Sequence, residues 1–104
     1  MSNYCVYILY AERFDKYYIG QTNSLEHRFV RHNEFELVNT YTSKYRPWVL
    51  KAWYEVGQNR SDALKVERRL KSLKSKKMIA DFAANPEKLA DFAIKVLSPD
   101  TPSH

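Results

Sequence analysis

Two runs of β-branched and aromatic residues, YCVYILY at 4–10 and YYIGQT at 17–22, open the chain with only AERFDK between them. Such runs favour extended backbone, and the pair reads as a hairpin. A loop centred between residues 12 and 13 sets Tyr7 opposite Tyr18. Alternate side chains of a strand share a face, so both hydroxyls then point the same way. Gly20, one of two glycines in the chain, interrupts the second run, which signals a bulge or the close approach of something to the backbone.

Downstream, Asn23 or Ser24 is placed to cap a helix over 24–34, with Glu26 completing a capping box if Asn23 is the cap. Residues 35–47, FELVNTYTSKYRP, form a long polar connection ended by Pro47, and loops of that length are usually functional or mobile. WVLKAWYEV at 48–56 is a third strand, and Gly57 to Asn59 turn the chain toward a helix from about Ser61 to Leu73. Lys74 to Lys77 make a basic joint. A helix over 76–84 follows, Pro86 starts another that ends near Val96, and 98–104 is a frayed tail. The order β-β-α-β-α-α(-α) predicts an α+β fold, a small three-stranded antiparallel sheet flanked by helices. Residues 1–84 are read as the functional domain, with the helix and tail of 85–104 as part of the same single unit.

At 104 residues the chain suits one compact domain, and its 44% hydrophobic residues suffice for a core. Seventeen Lys plus Arg against twelve Asp plus Glu give a formal charge of +5 and a pI near 9.4. That excess favours an anionic partner, nucleic acid before membrane, since no apolar run approaches the ~20 residues that span a bilayer. No secretory signal pattern opens the sequence, and a cytoplasmic location is the expectation. Cys5 is the single cysteine, which excludes an intramolecular disulfide and a cysteine-based zinc site.

Charge then turns up where a helix should dock. Leu25, Arg28, Phe29 and His32 are spaced i, i+3, i+4 and i+7, so they share one helical face. Each polar member has an ordinary explanation, a snorkelling arginine and a hydrogen-bonded histidine, but here both occur on one stripe. The second helix repeats the anomaly with opposite sign, Glu67 lying within the stripe Ala63, Val66, Leu70 and Leu73. A buried unpaired carboxylate costs several kcal/mol, so Glu67 must pair with a cation, bind a metal or face a cleft. A structural Glu67–Arg28 ion pair satisfies the same requirement. Tyr7 and Tyr18 would share a sheet face with Arg28, His32 and Glu67, although strand tyrosines are mostly packing residues with a wet hydroxyl.

Phosphodiester hydrolysis suits this set. A carboxylate can hold a hard divalent cation, cation and arginine together neutralise charge growing on a phosphate, and a base deprotonates water. Tyrosine becomes a usable base only if nearby cations depress its pKa from about 10. A Ser-His or Cys-His nucleophile pair is not evident, and no glycine-rich phosphate loop supports nucleotide hydrolysis.

At these residues the chain resembles the GIY-YIG endonuclease superfamily, and more closely its small stand-alone bacterial members. CVY at 5–7 stands at the first motif, and YIG at 18–20 is an intact second motif after the usual gap. Arg28 and His32 match the helix pattern, Tyr41 in YTSKYRP resembles the "YT…RP" segment, and Glu67 stands at the expected metal-binding glutamate. The resemblance covers about 4–82. It implies that Glu67 ligates one divalent ion, Mg²⁺ or Mn²⁺, and that Tyr7 is the general base for the attacking water. It further implies that Arg28 contacts the scissile phosphate, that Tyr18 orients water or substrate, and that His32 positions Tyr7 or the phosphate. Tyr41 completes the set, and the products would carry a 5′-phosphate and a 3′-hydroxyl. Cys5 and Val6 replace the glycine and isoleucine of the first motif, and an asparagine of several family nucleases lacks a counterpart in LKSLKSKK at 70–77.

Lys44 and Arg46 in the long connection, and Arg68, Lys71 and Lys74 near the end of the second helix, are read as phosphate contacts that give affinity without reading sequence. A solvated basic face is the plainer alternative. The leading expectation is thus a metal-dependent endonuclease acting on DNA, on branched or damaged structures or with weak sequence preference, with a partner protein as a possible source of specificity. The competing expectation is a catalytically weak nucleic-acid-binding module on the same fold.

Overall fold

In the computed structural model, which describes residues 3–33 and 42–98, the first aromatic run becomes the central strand of a three-stranded antiparallel sheet. β1 (Tyr4–Ala11) is flanked by β2 (Lys16–Thr22) on one side and by β3 (Val49–Gly57) on the other. A central strand is covered on both faces, which is why Val6, Tyr7, Ile8 and Leu9 are buried in succession rather than alternately. The α+β architecture expected from the sequence is the one observed.

The hairpin register differs from the expected one. Tyr7 pairs with Gly20, and Tyr18 pairs with Leu9. The cause lies in the turn: residues 12–15 form the connection, with Phe14 N–H donating to the Ala11 carbonyl at 3.2 Å and Asp15 N–H to the Glu12 carbonyl at 3.3 Å. Asp15 takes the left-handed conformation at φ 52°, which Asp tolerates better than bulky residues do. Its carboxylate is held from two sides, accepting from the Tyr10 hydroxyl at 2.7 Å and from Lys76 Nζ at 2.6 Å. Moving the loop centre by one residue moves each partner by two, so the faces are unchanged and Tyr7 and Tyr18 still share one.

The two faces of the sheet meet different partners. Val6, Ile8 and Ile19 pack against α2 (Arg60–Ser72), α3 (Lys76–Ala84) and α4 (Pro86–Leu97). Tyr7, Leu9 and Ala11 pack on Trp48, with Tyr18, Leu25 and Phe29 around them, so α1 (Leu25–His32) lies on the opposite side from the other helices. On the helical side Ala63, Val66, Leu70, Leu89 and Ala93 are fully buried. Each buried Val or Leu side chain contributes roughly 1.5–3 kcal/mol relative to exposure. A register shift between Ile8 and Leu9 leaves Lys51 unopposed on β3 and returns Leu50 and Trp53 to the face of Leu9 and Tyr7.

Helix ends follow from local chemistry. Gly57, at φ 139°, closes β3 in a conformation that L side chains rarely adopt. Asn59 caps α2 by accepting from Ser61 N–H at 3.0 Å, and the Ser75 hydroxyl caps α3 by accepting from Met78 N–H at 3.2 Å. Pro86 stands at the first turn of α4, where a missing N–H costs nothing. Of the two candidate caps the helix uses Ser24, so the box that Glu26 would complete with Asn23 does not form. Ser24 is the cap of α1 and makes no side-chain cap bond; its own N–H donates to Thr22 Oγ1 at 3.0 Å, so the strand end holds the helix start. Among the described residues no helix is long and apolar enough to cross a membrane.

Candidate active site

Tyr7 stands at the middle of β1 with 1% of its surface exposed, and its ring lies across the backbone of β2. Gly20 makes this possible. A Cβ at that position would fall 2.5 Å from the Tyr7 hydroxyl oxygen and 2.6 Å from Cζ, closer than real Cβ contacts come. The glycine inside the second run is therefore explained by the approach of another side chain, namely the phenol of its own strand partner.

His32, the last residue of α1, meets that phenol from the other side: Tyr7 Oη and His32 Nε2 are 2.9 Å apart in a buried hydrogen bond. The Tyr18 ring lies beside both, 4.8 Å from the imidazole and 6.3 Å from the Tyr7 ring, centroid to centroid. The end of α1 is fixed by Asn33. Its side chain accepts from Trp48 N–H at 2.7 Å and donates to the Trp48 carbonyl at 3.1 Å, clamping the helix to the start of β3.

The protonation states follow from burial. His32 is 6% exposed, and burial first, then the Arg28 charge, push its pKa down to about 4, so the imidazole is neutral at pH 7. Burial likewise pushes the Tyr7 phenol well above its ordinary value. Tyr18 and Glu67 push the same way, and Arg28 opposes them. The resting pair is a protonated phenol and an uncharged imidazole. In one tautomer the phenol donates to a bare Nε2, and in the other Nε2–H donates to the phenol oxygen.

Arg28, an exposed residue one turn before His32 on α1, is near enough for its charge to act on both members of the pair. Glu67 arrives from α2, which packs along the outer strand β2. Its carboxylate is 16% exposed and is paired with Lys71, Nζ to Oε2 at 2.6 Å, while Lys71 Nζ also lies 5.9 Å from the centre of the Tyr18 ring. The Glu67–Arg28 pair that the sequence allowed is replaced by this i, i+4 pair within α2. Neither its burial nor its position is that of a core residue: Ala63, Val66 and Leu70 hold the middle of the stripe, and Glu67 sits on its shoulder.

The structure thus brings Tyr7, Tyr18 and His32 into contact, with Arg28 and Glu67 within electrostatic reach of Tyr7. Tyr41 lies outside the described residues. Lys44 is exposed on a short 3₁₀ turn (Thr42–Tyr45), and Arg46 follows it, joined to Pro47 through a cis peptide bond. Arg68, Lys71 and Lys74 are exposed, with Lys71 nearest the phenols. Sequence reasoning named Lys71 only as a phosphate contact and passed over Asn33. The i, i+4 spacing of Glu67 and Lys71 was a usable signal for their pairing, whereas nothing local marks Asn33 as a clamp on Trp48.

Among the described residues no three His, Cys, Asp or Glu side chains gather into a cage for a metal. A single, partly exposed carboxylate still fits Mg²⁺, which commonly takes one or two carboxylates and completes its shell with water and substrate phosphate. Glu67 is the residue that would hold it. His32 Nε2 is already engaged by Tyr7.

The profile of the GIY-YIG catalytic domain matches residues 3–79, which span the hairpin, α1, β3, α2 and the start of α3. Comparison with curated proteins and with solved structures returned no match. Because the profile runs over most of the chain, and over every element that builds the Tyr7 cleft, the protein belongs to the GIY-YIG family of nuclease catalytic domains.

Proposed function

We propose that this chain is an endonuclease that hydrolyses DNA phosphodiester bonds with a tyrosine base and a single divalent ion, directed by DNA structure or weakly by sequence. The observation that carries this reading is the buried Tyr7–His32 hydrogen bond of 2.9 Å with Arg28 and Glu67 beside it. A phenol buried for packing alone has no need of an imidazole, a guanidinium and a carboxylate around it.

In this reading Tyr7 acts as the phenolate, its own proton released to solvent, and takes the proton of the attacking water, while neutral His32 holds the phenolic oxygen by donating Nε2–H. Arg28 steadies the scissile phosphate and favours the phenolate, since its charge already acts to lower the Tyr7 pKa. Glu67 as a bare carboxylate acts the other way, so neutralising it removes one of the influences that keep the phenol protonated. Glu67 would hold a divalent cation that, when bound, would supply that neutralisation and polarise the phosphate, Mg²⁺ or Mn²⁺ being the ions suited to an oxygen donor. Tyr18 orients the water or substrate across the cleft. Lys44, Arg46, Arg68, Lys71 and Lys74 supply phosphate contacts around it.

One observation favours a second reading. Lys71 already occupies the Glu67 carboxylate, which is what a nucleic-acid-binding module with little turnover would retain. The two are separated by incubating the protein with single-stranded, duplex, flap and four-way-junction DNA, in Mg²⁺ or Mn²⁺ and in EDTA, alongside Glu67→Ala and Tyr7→Phe. Cutting by the wild type that both substitutions abolish supports the endonuclease. Binding that survives Glu67→Ala, with no cutting by any protein, supports the module.

A further inference from the structure

A recess of about 430 Å³ runs along the outer edge of β2, between that strand and the joint of α2 and α3. Its lining has two characters. The rings of Tyr17 and Tyr18, with the largely buried Ile19 and Ile79, give it an apolar floor, and Lys16, Lys71, Lys74 and Lys76 stand around it. Lys74 holds the left-handed conformation at φ 49° where α2 gives way to α3, so the backbone turn itself sets a lysine at the recess. The carboxylate in the lining, Asp15, is already bonded to Lys76 at 2.6 Å. Tyr18, whose ring stands beside Tyr7 and His32, and Lys71, the partner of Glu67, both line this recess, so it lies next to the candidate site.

We propose that this groove carries an unpaired nucleic-acid strand leading to or from the scissile phosphate, its phosphates on Lys16 and Lys74 and a base over the apolar floor. The inference rests on the nuclease reading above. A duplex presents phosphates on a convex surface with its base faces hidden in the stack, and cannot use an apolar floor. An unpaired strand offers both a base face and a phosphate within one nucleotide, which is the pairing of surfaces found here. Addition of a peptide strand to the free edge of β2 is disfavoured by the same residues, since lysines and an Asp15–Lys76 bridge across an edge block such pairing. The groove therefore selects substrates with a single-stranded arm next to the cut, which links the geometry to flaps and forks rather than to continuous duplex.

The test is equilibrium binding of labelled oligothymidylate and of a duplex, by fluorescence anisotropy in EDTA, so that no cutting is required. The variant is Lys16→Gln/Lys74→Gln. The control is Lys65→Gln/Lys95→Gln, which removes the same charge from exposed positions outside the groove. Single-strand affinity is expected to fall roughly tenfold in the groove variant, and the slope of log K against log salt by about 1.4, since each phosphate contact on single strands carries about 0.7. The control should keep the larger part of both. The proposal is overturned if the wild type does not bind the oligothymidylate, if the two variants lose affinity equally, or if duplex binding falls as much as single-strand binding in the groove variant. A wild type that binds as expected yet cuts no DNA in Mg²⁺ upholds the groove and ends the nuclease reading. One that cuts while its groove variant binds unchanged ends the groove alone.

Discussion

The hydroxyl of Tyr7 occupies the space that a side chain on Gly20 would need, with 2.5 Å between Oη and the position of the added Cβ. The phenol cannot retreat without losing His32, so Gly20→Ala is expected to cost about 1–3 kcal/mol through overpacking and to break the Tyr7–His32 bond. Cutting should drop by roughly a hundredfold, the range for losing a positioned proton-transfer group. Gly57→Ala is the matched control. Its φ of 139° makes alanine strained, yet nothing lies within 4 Å, so stability should fall while turnover per folded molecule holds. Thermal melts with rate assays on both variants check this, and equal turnover for Gly20→Ala and wild type would remove Gly20 from the argument.

His32 makes stability depend on pH in a defined window. Its folded pKa of about 4 lies below the reference 6.5, so between these values the unfolded chain binds the proton more tightly. Stability contributed by the neutral imidazole is fully present above about 6.5 and is lost as pH falls toward 4. The loss is expected to be about 3 kcal/mol. Carboxylates titrate in part of the same range, so the quantity to measure is the difference between wild type and His32→Gln in urea-unfolding free energy from pH 7 to 4. That difference should shrink as pH falls, and a constant difference would show that His32 is not held neutral.

The parts of this site that depend on spacing within one element were visible in the chain itself. Tyr7 and Tyr18 share a face by strand alternation, His32 follows Leu25 and Phe29 on one helical stripe, and Glu67 stands out among Ala63, Val66 and Leu70. Features that depend on how elements meet were not. Hairpin register turned on the left-handed Asp15 and its bond to Lys76, a residue 61 positions away. The groove exists only because the α2–α3 joint packs on β2, a relation that no local pattern encodes. Gly20 falls between the two, since its oddity was legible and its cause, the ring of Tyr7, was a matter of register.

Asn33 holds the site from outside it. Both polar atoms of its side chain are bonded to the Trp48 backbone, and the next residue back is His32. Asn33→Ala leaves a half-buried N–H and C=O without that partner, which costs about 1–3 kcal/mol. A merely structural clamp would lower stability and leave the rate of folded enzyme alone. A clamp that sets His32 also lowers kcat with KM little changed, and it shifts the Tyr7 hydroxyl-linked histidine resonances in NMR spectra at pH 7. An unchanged kcat at a temperature where the variant is folded would confine Asn33 to stability.

Lys71 is the cation on Glu67 before any metal arrives, at 2.6 Å and four residues along the same helix. A divalent ion bound by Glu67 must displace that ammonium or share the carboxylate with it. Helical i, i+4 pairs are worth only about 0.3–0.5 kcal/mol, so the competition is weak and easily reversed. Lys71→Met is therefore expected to tighten Mn²⁺ binding in the absence of DNA by about twofold, read by calorimetry, while Glu67→Gln abolishes it. The same Lys71→Met should weaken single-strand binding, because it removes an ammonium that lines the groove beside Tyr18. Tighter metal with weaker DNA is the signature of a lysine shared between carboxylate and phosphate. Loss of both together would mean instead that Lys71 only holds α2 in place.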